Sequence, residues 1–289
     1  MKYFISSLLL TLLVNLPPIY GQEDNPLLSQ AQQAYAEEKF SEAVALLQQK
    51  ENTTQSYEAL LLLGDARQKN EEYKLAIEAY DQAELLNNSD VELYINRASA
   101  KIWSEQYNAA FKDLSNATDL AGENYRIEYY LGVANYYKFS LKNAIKALDR
   151  CVELNPEYAP AYYLRAACLG ELGKYRIAIE DYSKAYDLDS TLTIALFNIA
   201  VTKYQDQDFA GAQSDLTQLL QSDLENQAEI YYYRAECSYL LKDKQAACFD
   251  YSEAMKRGDA LATEIYDKFC LKGEQRKSLP KRNTQSISL

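Results

Sequence analysis

The residue types that carry most enzyme chemistry are thin in this 289-residue chain. It has no histidine, which removes serine–histidine and cysteine–histidine nucleophile pairs, imidazole metal ligands and the commonest general base. Nine glycines never form the spacings of a phosphate-cradling or dinucleotide-binding loop. Carboxylate pairs such as Glu71 with Glu72, or Asp187 with Asp189, read as solvated helix ends that compensate the helix dipole. No close cysteine pair suggests zinc. The expectation is therefore no catalytic residue, no metal and no cofactor. A formal charge of −12 argues against nucleic acid as a partner, because that affinity rests on neutralising phosphates. What the chain has in excess is tyrosine, 26 residues, a side chain suited to binding through a flat ring with a polar tip.

The elements that must position those tyrosines are set by a repeat. Alanine recurs at Ala43, Ala76, Ala110, Ala144, Ala178, Ala212 and Ala247, at intervals of 33 to 35 residues. Twelve residues before each lies another small residue: Ala31, Gly64, Ala98, Gly132, Ala166, Ala200 or Ala235. An aromatic stands three before the alanine in five copies, and a large apolar residue stands four after it in all seven. Apolar positions three and four apart mark two helical segments per copy. One small residue on each segment would let two backbones cross closely, with the aromatics filling the wedge beside them. A lone helix pair cannot bury its own apolar face, so successive pairs must stack.

This helix-turn-helix unit of about 34 residues, with its small, aromatic and alanine marks and Pro156 closing one copy, resembles the tetratricopeptide repeat. The resemblance covers residues 24–261 in seven copies: 24–57, 57–90, 91–124, 125–158, 159–192, 193–226 and 228–261. It implies an all-α, right-handed superhelical solenoid whose first helices line a concave groove at repeat positions two, five, nine, twelve and thirteen. By that resemblance the groove would present Tyr129, Tyr163, Phe197 and Tyr232 at position five. Tyr136, Tyr204 and Tyr239 would lie at position twelve, and Trp103 and Tyr137 at position thirteen. Position nine is small or apolar in copies four to six (Val133, Ala167, Val201), whereas Glu58, Asp65, Glu92, Glu229 and Glu236 stand towards the groove ends. The basic clamp with which chaperone-binding members hold a terminal carboxylate is not present at the corresponding positions. Tyr94, Tyr162 and Tyr231, and Tyr73, Tyr107 and Tyr175, are expected in the core.

Residues 1–21 read as a secretory signal peptide: Lys2, the apolar run Tyr3–Val14, two prolines and Gly21. The run is too short to span a bilayer, which needs ~20 apolar residues. Ile19 departs from the small residue favoured there, which leaves an uncleaved anchor open. Export permits disulfides. Cys151, Cys168 and Cys237 fill slots that hold alanine in other copies and so read as small hydrophobes, although Cys151 and Cys168 could meet across a copy junction. Cys248 and Cys270 would join the last copy to a closing helix over 262–272, and they are the candidate disulfide. Residues 273–289, polar and basic, are expected as a disordered tail. Asn52, Asn87 and Asn116 begin sequons that matter only in a eukaryotic source.

The functional expectation is a non-catalytic exported scaffold or adaptor, in the periplasm or outside the cell, holding a protein or peptide in its groove. The tyrosine-rich composition and leader resemble exported repeat proteins of Bacteroidota-like bacteria. Two alternatives stand beside this: a glycan or cell-wall binding module using the same aromatics, and a structural assembly subunit that makes contacts by its edges.

Overall fold

The structure, a computed structural model, describes residues 26–49, 56–221 and 227–282; the leader over 1–21, Asn52 and the tail beyond 282 lie outside them. Among the described residues there are fifteen α-helices and no strand. By compactness the chain falls into two units, residues 1–88 and 89–289. The first holds two helix pairs, α1 (Pro26–Ala36) with α2 (Phe40–Leu47) and α3 (Tyr57–Lys69) with α4 (Tyr73–Leu86). The second holds α5 (Val91–Trp103) with α6 (Tyr107–Ala121), then α7 (Tyr125–Tyr137) with α8 (Leu141–Leu154) and α9 (Ala159–Glu171) with α10 (Tyr175–Leu188). It continues through α11 (Ile194–Gln205) with α12 (Phe209–Leu219) and α13 (Gln227–Leu240) with α14 (Lys244–Lys256), and ends with the short α15 (Ala260–Ile265). Within it, each first helix packs on its own second helix, and α5 on α7, α7 on α9 and α11 on α13.

The small residues sit where the helices cross. All seven period-marking alanines are fully buried, as are Ala31, Ala98, Ala166, Ala200 and Ala235. Gly132 shows why the slot is tight: a Cβ there would come within 2.7 Å of Leu148 Cγ on the partner helix. Overpacking such a crossing costs on the order of 1–3 kcal/mol.

Every first helix ends in the same turn. The residue at repeat position fifteen takes a left-handed conformation in all seven copies, at Glu38, Glu71, Glu105, Phe139, Gly173, Gln207 and Lys242. In copy two, Glu71 N donates to Gln68 O at 3.0 Å and Glu72 N to Arg67 O at 2.8 Å, and the same pair of bonds recurs in the other copies. This is a Schellman closure, which satisfies carbonyls that a helix end would otherwise leave unpaired. Only copy five supplies glycine, so six copies accept strain at a non-glycine residue to make the turn.

Three copies share a further device. Arg97 forms a bidentate pair with Asp113 (2.9 Å each), Arg165 with Asp181 (2.7 and 2.8 Å) and Arg234 with Asp250 (2.8 and 2.6 Å), always sixteen residues apart. The same arginines lie over Tyr94, Tyr162 and Tyr231 at 5.3–5.5 Å from the ring centroid. Copies two and four place Leu63 with Ala79 and Leu131 with Ala147 at these positions. The expected core set divides accordingly: Tyr94 is buried, whereas Tyr162 and Tyr231 are half-buried beneath their arginines, as are Tyr73, Tyr107 and Tyr175 at the edge.

The last repeat is closed by α15 and a π-type turn over Tyr266–Leu271, held by the Cys248–Cys270 disulfide. Residues 273–282 do not behave as the solvated tail expected of them. Arg276 is buried at 1% exposure and Leu279 at 8%, because acidic and aromatic groups of α13 and α14 meet them.

Candidate functional site

The aromatics at the expected groove positions of α5, α7, α9, α11 and α13 fall into three groups. In the first, Trp103 meets the edge of Tyr137 at 5.6 Å, Tyr137 meets Tyr136 at 5.5 Å, and Tyr107 stacks on Tyr137 at 6.4 Å. Trp103 is 47% exposed, the most open ring of the set. Beside it Tyr129 packs against Tyr158 at 5.2 Å and Tyr130 at 5.3 Å. Tyr158, from the loop before α9, was not singled out from the sequence, since a residue between helices carries no periodic mark.

The second group forms a buried floor. Tyr163 is buried, its ring 5.3 Å from Tyr182, and its hydroxyl accepts a 2.7 Å bond from Asn198 Nδ2. Phe197 is likewise buried, against Tyr233, and Tyr204 packs between Phe209 and Tyr233. Tyr163 and Phe197 therefore support the surface more than they present it. Burial raises the Tyr136 phenol to about 12, with Glu171 adding to the rise, so it stays a neutral hydrogen-bonding group at physiological pH. The same cause raises Cys151, Cys168 and Cys237 to about 12; they are free and buried, hence inert.

The third group is already occupied. Tyr239 packs edge-on against Phe269 at 5.5 Å. Tyr232 is buried beneath Arg282, whose guanidinium carbon lies 4.4 Å from the ring centroid, and its hydroxyl accepts from Arg282 N at 3.1 Å. Two of the nine expected groove residues are thus covered by the chain's own C-terminal segment.

Position 24 of the repeat exposes a difference that spacing alone did not reveal. Tyr80 donates to Asp65 at 2.6 Å, and Tyr251 donates to Glu236; Asp65 and Glu236 both hold position nine. Tyr182 has Ala167 there instead, and among the described residues its buried hydroxyl has no hydrogen-bond partner.

The periodicity, the helix pairs and the shared turn agree with what sequence comparison finds. Three profiles described as tetratricopeptide repeat match residues 57–90, 147–180 and 197–261. The chain belongs to the tetratricopeptide repeat family. Its fold is similar to that of a tetratricopeptide repeat protein from Parabacteroides merdae, with a TM-score of 0.60, 16% identity and coverage of 84% of this chain and 96% of that one. It is also similar to PilF of Pseudomonas aeruginosa (TM-score 0.62, 16% identity, 75% of this chain and 97% of that one). At such identity the likeness concerns the fold. BBSome complex member BBS4 of Bos taurus is 29% identical over 168 residues, 54% of this chain and 31% of that one. The chain spans less than a third of the length of the curated relatives it matches.

Tetratricopeptide repeats are, in general, a non-catalytic scaffold for protein interaction. Among the described residues no cluster of histidine, cysteine and carboxylates could hold a metal. No helix among them is long and apolar enough to cross a membrane.

Proposed function

We propose that this tetratricopeptide repeat protein is an exported, non-catalytic scaffold that holds an extended protein or peptide segment along the aromatic face built by α5, α7, α9 and α11. The observation that carries the reading is the linked set Trp103, Tyr137 and Tyr136, with Tyr129 beside it. These rings are braced edge to face while Trp103 keeps about half its surface open. Rigid rings with polar tips bind at low entropic cost. The unbonded hydroxyl of Tyr182 adds a polar group beneath the same face. Export is supported by the leader-like sequence of residues 1–21 and would be tested by N-terminal sequencing of the secreted chain, expected to begin at Gln22.

Tyr163 and Tyr232 are poor probes of binding, since both are buried and their loss would disturb packing. Trp103→Ala with Tyr137→Ala is the better test. Partners captured by crosslinking in the native envelope should be lost from the double variant at least ten-fold, with the helical content unchanged. Retention of the protein partners would overturn the groove reading. Loss of binding to isolated cell-wall polysaccharide, with no protein partner in either sample, would transfer the aromatic face to sugar recognition. The assembly reading draws on Phe139, which is 89% exposed although it occupies the left-handed turn position. Phe139→Ala would then dissociate a complex that Trp103→Ala leaves intact.

A further inference from the structure

Residues 276–282 belong to no repeat, yet they lie on the concave positions of α13. Arg282 reaches Glu229 at position two (3.2 Å) and covers Tyr232 at position five, while its second nitrogen pairs with Asp259. Arg276 reaches Glu236 at position nine, with Nε 3.0 Å from Oε1 and Nη2 in the same ion pair. Its Nε also lies 3.0 Å from Tyr251 Oη, and its Nη1 donates to the carbonyl of Pro280 at 3.0 Å, folding the segment over its own guanidinium. Between the two arginines Leu279 enters the apolar cluster of the last repeat. Every feature of a peptide complex is present: two cations on two acidic pockets, each floored by a tyrosine, and one apolar anchor between them. The partners are remote in sequence, 40 residues apart for Arg276 with Glu236 and 53 for Arg282 with Glu229, so tertiary pairing holds the segment in addition to its short 3-10 turn over Arg276–Ser278. The linker Gly273–Gln275 is exposed, and Gly273 takes a positive φ of 75°.

We propose that Glu229, Tyr232, Glu236, Tyr251 and Asp259 form a binding site for a short basic segment carrying two arginines six residues apart with a leucine between them, and that residues 276–282 are its built-in, competing occupant. The inference rests on the groove reading only in that a partner's basic segment must displace the chain's own. Its chemistry is ionic and lies in the last repeat, separate from the Trp103 surface. Neutral or acidic peptides lack the charges to satisfy these carboxylates, and a lone arginine would fill one pocket only.

The test uses the full chain with a protease recognition sequence placed between Gly273 and Glu274. Cutting leaves every residue of the site and its occupant present but unlinked, and lets the groove hydrate, which side-chain deletion does not. A labelled peptide of residues 274–282 is then titrated by fluorescence anisotropy into cut and uncut protein. The cut protein is expected to hold the segment through gel filtration or to rebind it. The uncut protein should bind at least ten-fold more weakly, and a peptide with both arginines replaced by alanine should lose at least ten-fold. A released segment that does not rebind, equal binding by uncut protein, or binding indifferent to the arginines would each overturn the proposal. Trp103→Ala serves as the separating control. It should leave this titration unchanged, so a failure here and a failure of the aromatic face are read independently.

Discussion

Repeats five and seven share a scaffold and differ in what it supports. Both carry an arginine–aspartate pair sixteen residues apart, an arginine over a position-four tyrosine, and a fully buried tyrosine at position 24. At position nine, however, repeat five has Ala167 and repeat seven has Glu236. That change reorganises everything above it. Glu236 accepts from Tyr251 and from Arg276, and the C-terminal segment is drawn down onto the groove. Ala167 puts no charge at position nine, the Tyr182 hydroxyl is without a partner among the described residues, and Tyr163 takes its bond from Asn198 of the next copy. The repeat marks thus describe where helices cross, while position nine separates a repeat whose buried tyrosine donates to a carboxylate that also holds an arginine from one whose buried tyrosine has no partner among the described residues.

The largest effect that would break this contrast is expected at the charged end. Arg276→Ala leaves Glu236, 3% exposed, beneath the rest of the segment without its counter-charge, at a cost of about 3–5 kcal/mol. Because a solenoid is stabilised repeat by repeat, hydrogen exchange should show the loss in α13–α15 before it reaches α9 and α10. Uniform loss across both repeats would count against a local role. Replacing Arg276 and Glu236 together with methionine should recover most of it, since a removed pair leaves no unmatched charge.

The hydroxyls sharpen the contrast at smaller scale. Tyr251→Phe deletes a buried donor to a carboxylate and is expected to cost about 1–3 kcal/mol in urea unfolding. Tyr182→Phe removes a hydroxyl that gains nothing from its surroundings, and its midpoint should stay within about 0.5 kcal/mol of the parent or rise. Equal losses at the two sites would mean that position nine does not govern them.

Much of the scaffold could be read in advance because its determinants are local and recur. The alanine and glycine slots and the two helices per copy follow from side-chain size at a fixed period, and the closing helix from an amphipathic stretch after the last copy. The shared left-handed turn escaped because Glu71, Glu105, Phe139, Gln207 and Lys242 carry none of the glycine signal that usually marks it; the hydrogen bonds of the closure impose it instead. The arginine–aspartate pairs have a signal, sixteen-residue spacing in alternate copies, but it is invisible in a search for marks common to all seven. In the site, accessibility did not follow from repeat position. Tyr163 and Phe197, expected to face the groove, are buried against Tyr182 and Tyr233. The segment 276–282 was the plainest miss, since polar, basic composition describes a free tail correctly only when no acidic surface awaits it.

The smallest predicted effect is a pH slope that belongs to repeat five. Burial raises the Glu171 carboxyl above its ordinary value, and Glu171 in turn raises the Tyr136 and Tyr182 phenols. A carboxyl whose folded value lies above its unfolded one binds more protons in the folded state between the two values. Stability from this group therefore falls as pH rises through that window and is flat above it. Glu253 and Asp189, held low by hydrogen bonds from Lys256 and Thr191 respectively, act in the opposite sense, so the whole-protein profile mixes the two. The difference between parent and Glu171→Gln isolates one group. The variant should gain slightly at neutral pH, and the gap should close as pH falls through the ordinary glutamate range. A variant less stable than the parent at neutral pH, with that deficit closing on acidification, would mean that the Glu171 carboxylate is stabilised rather than penalised by its surroundings.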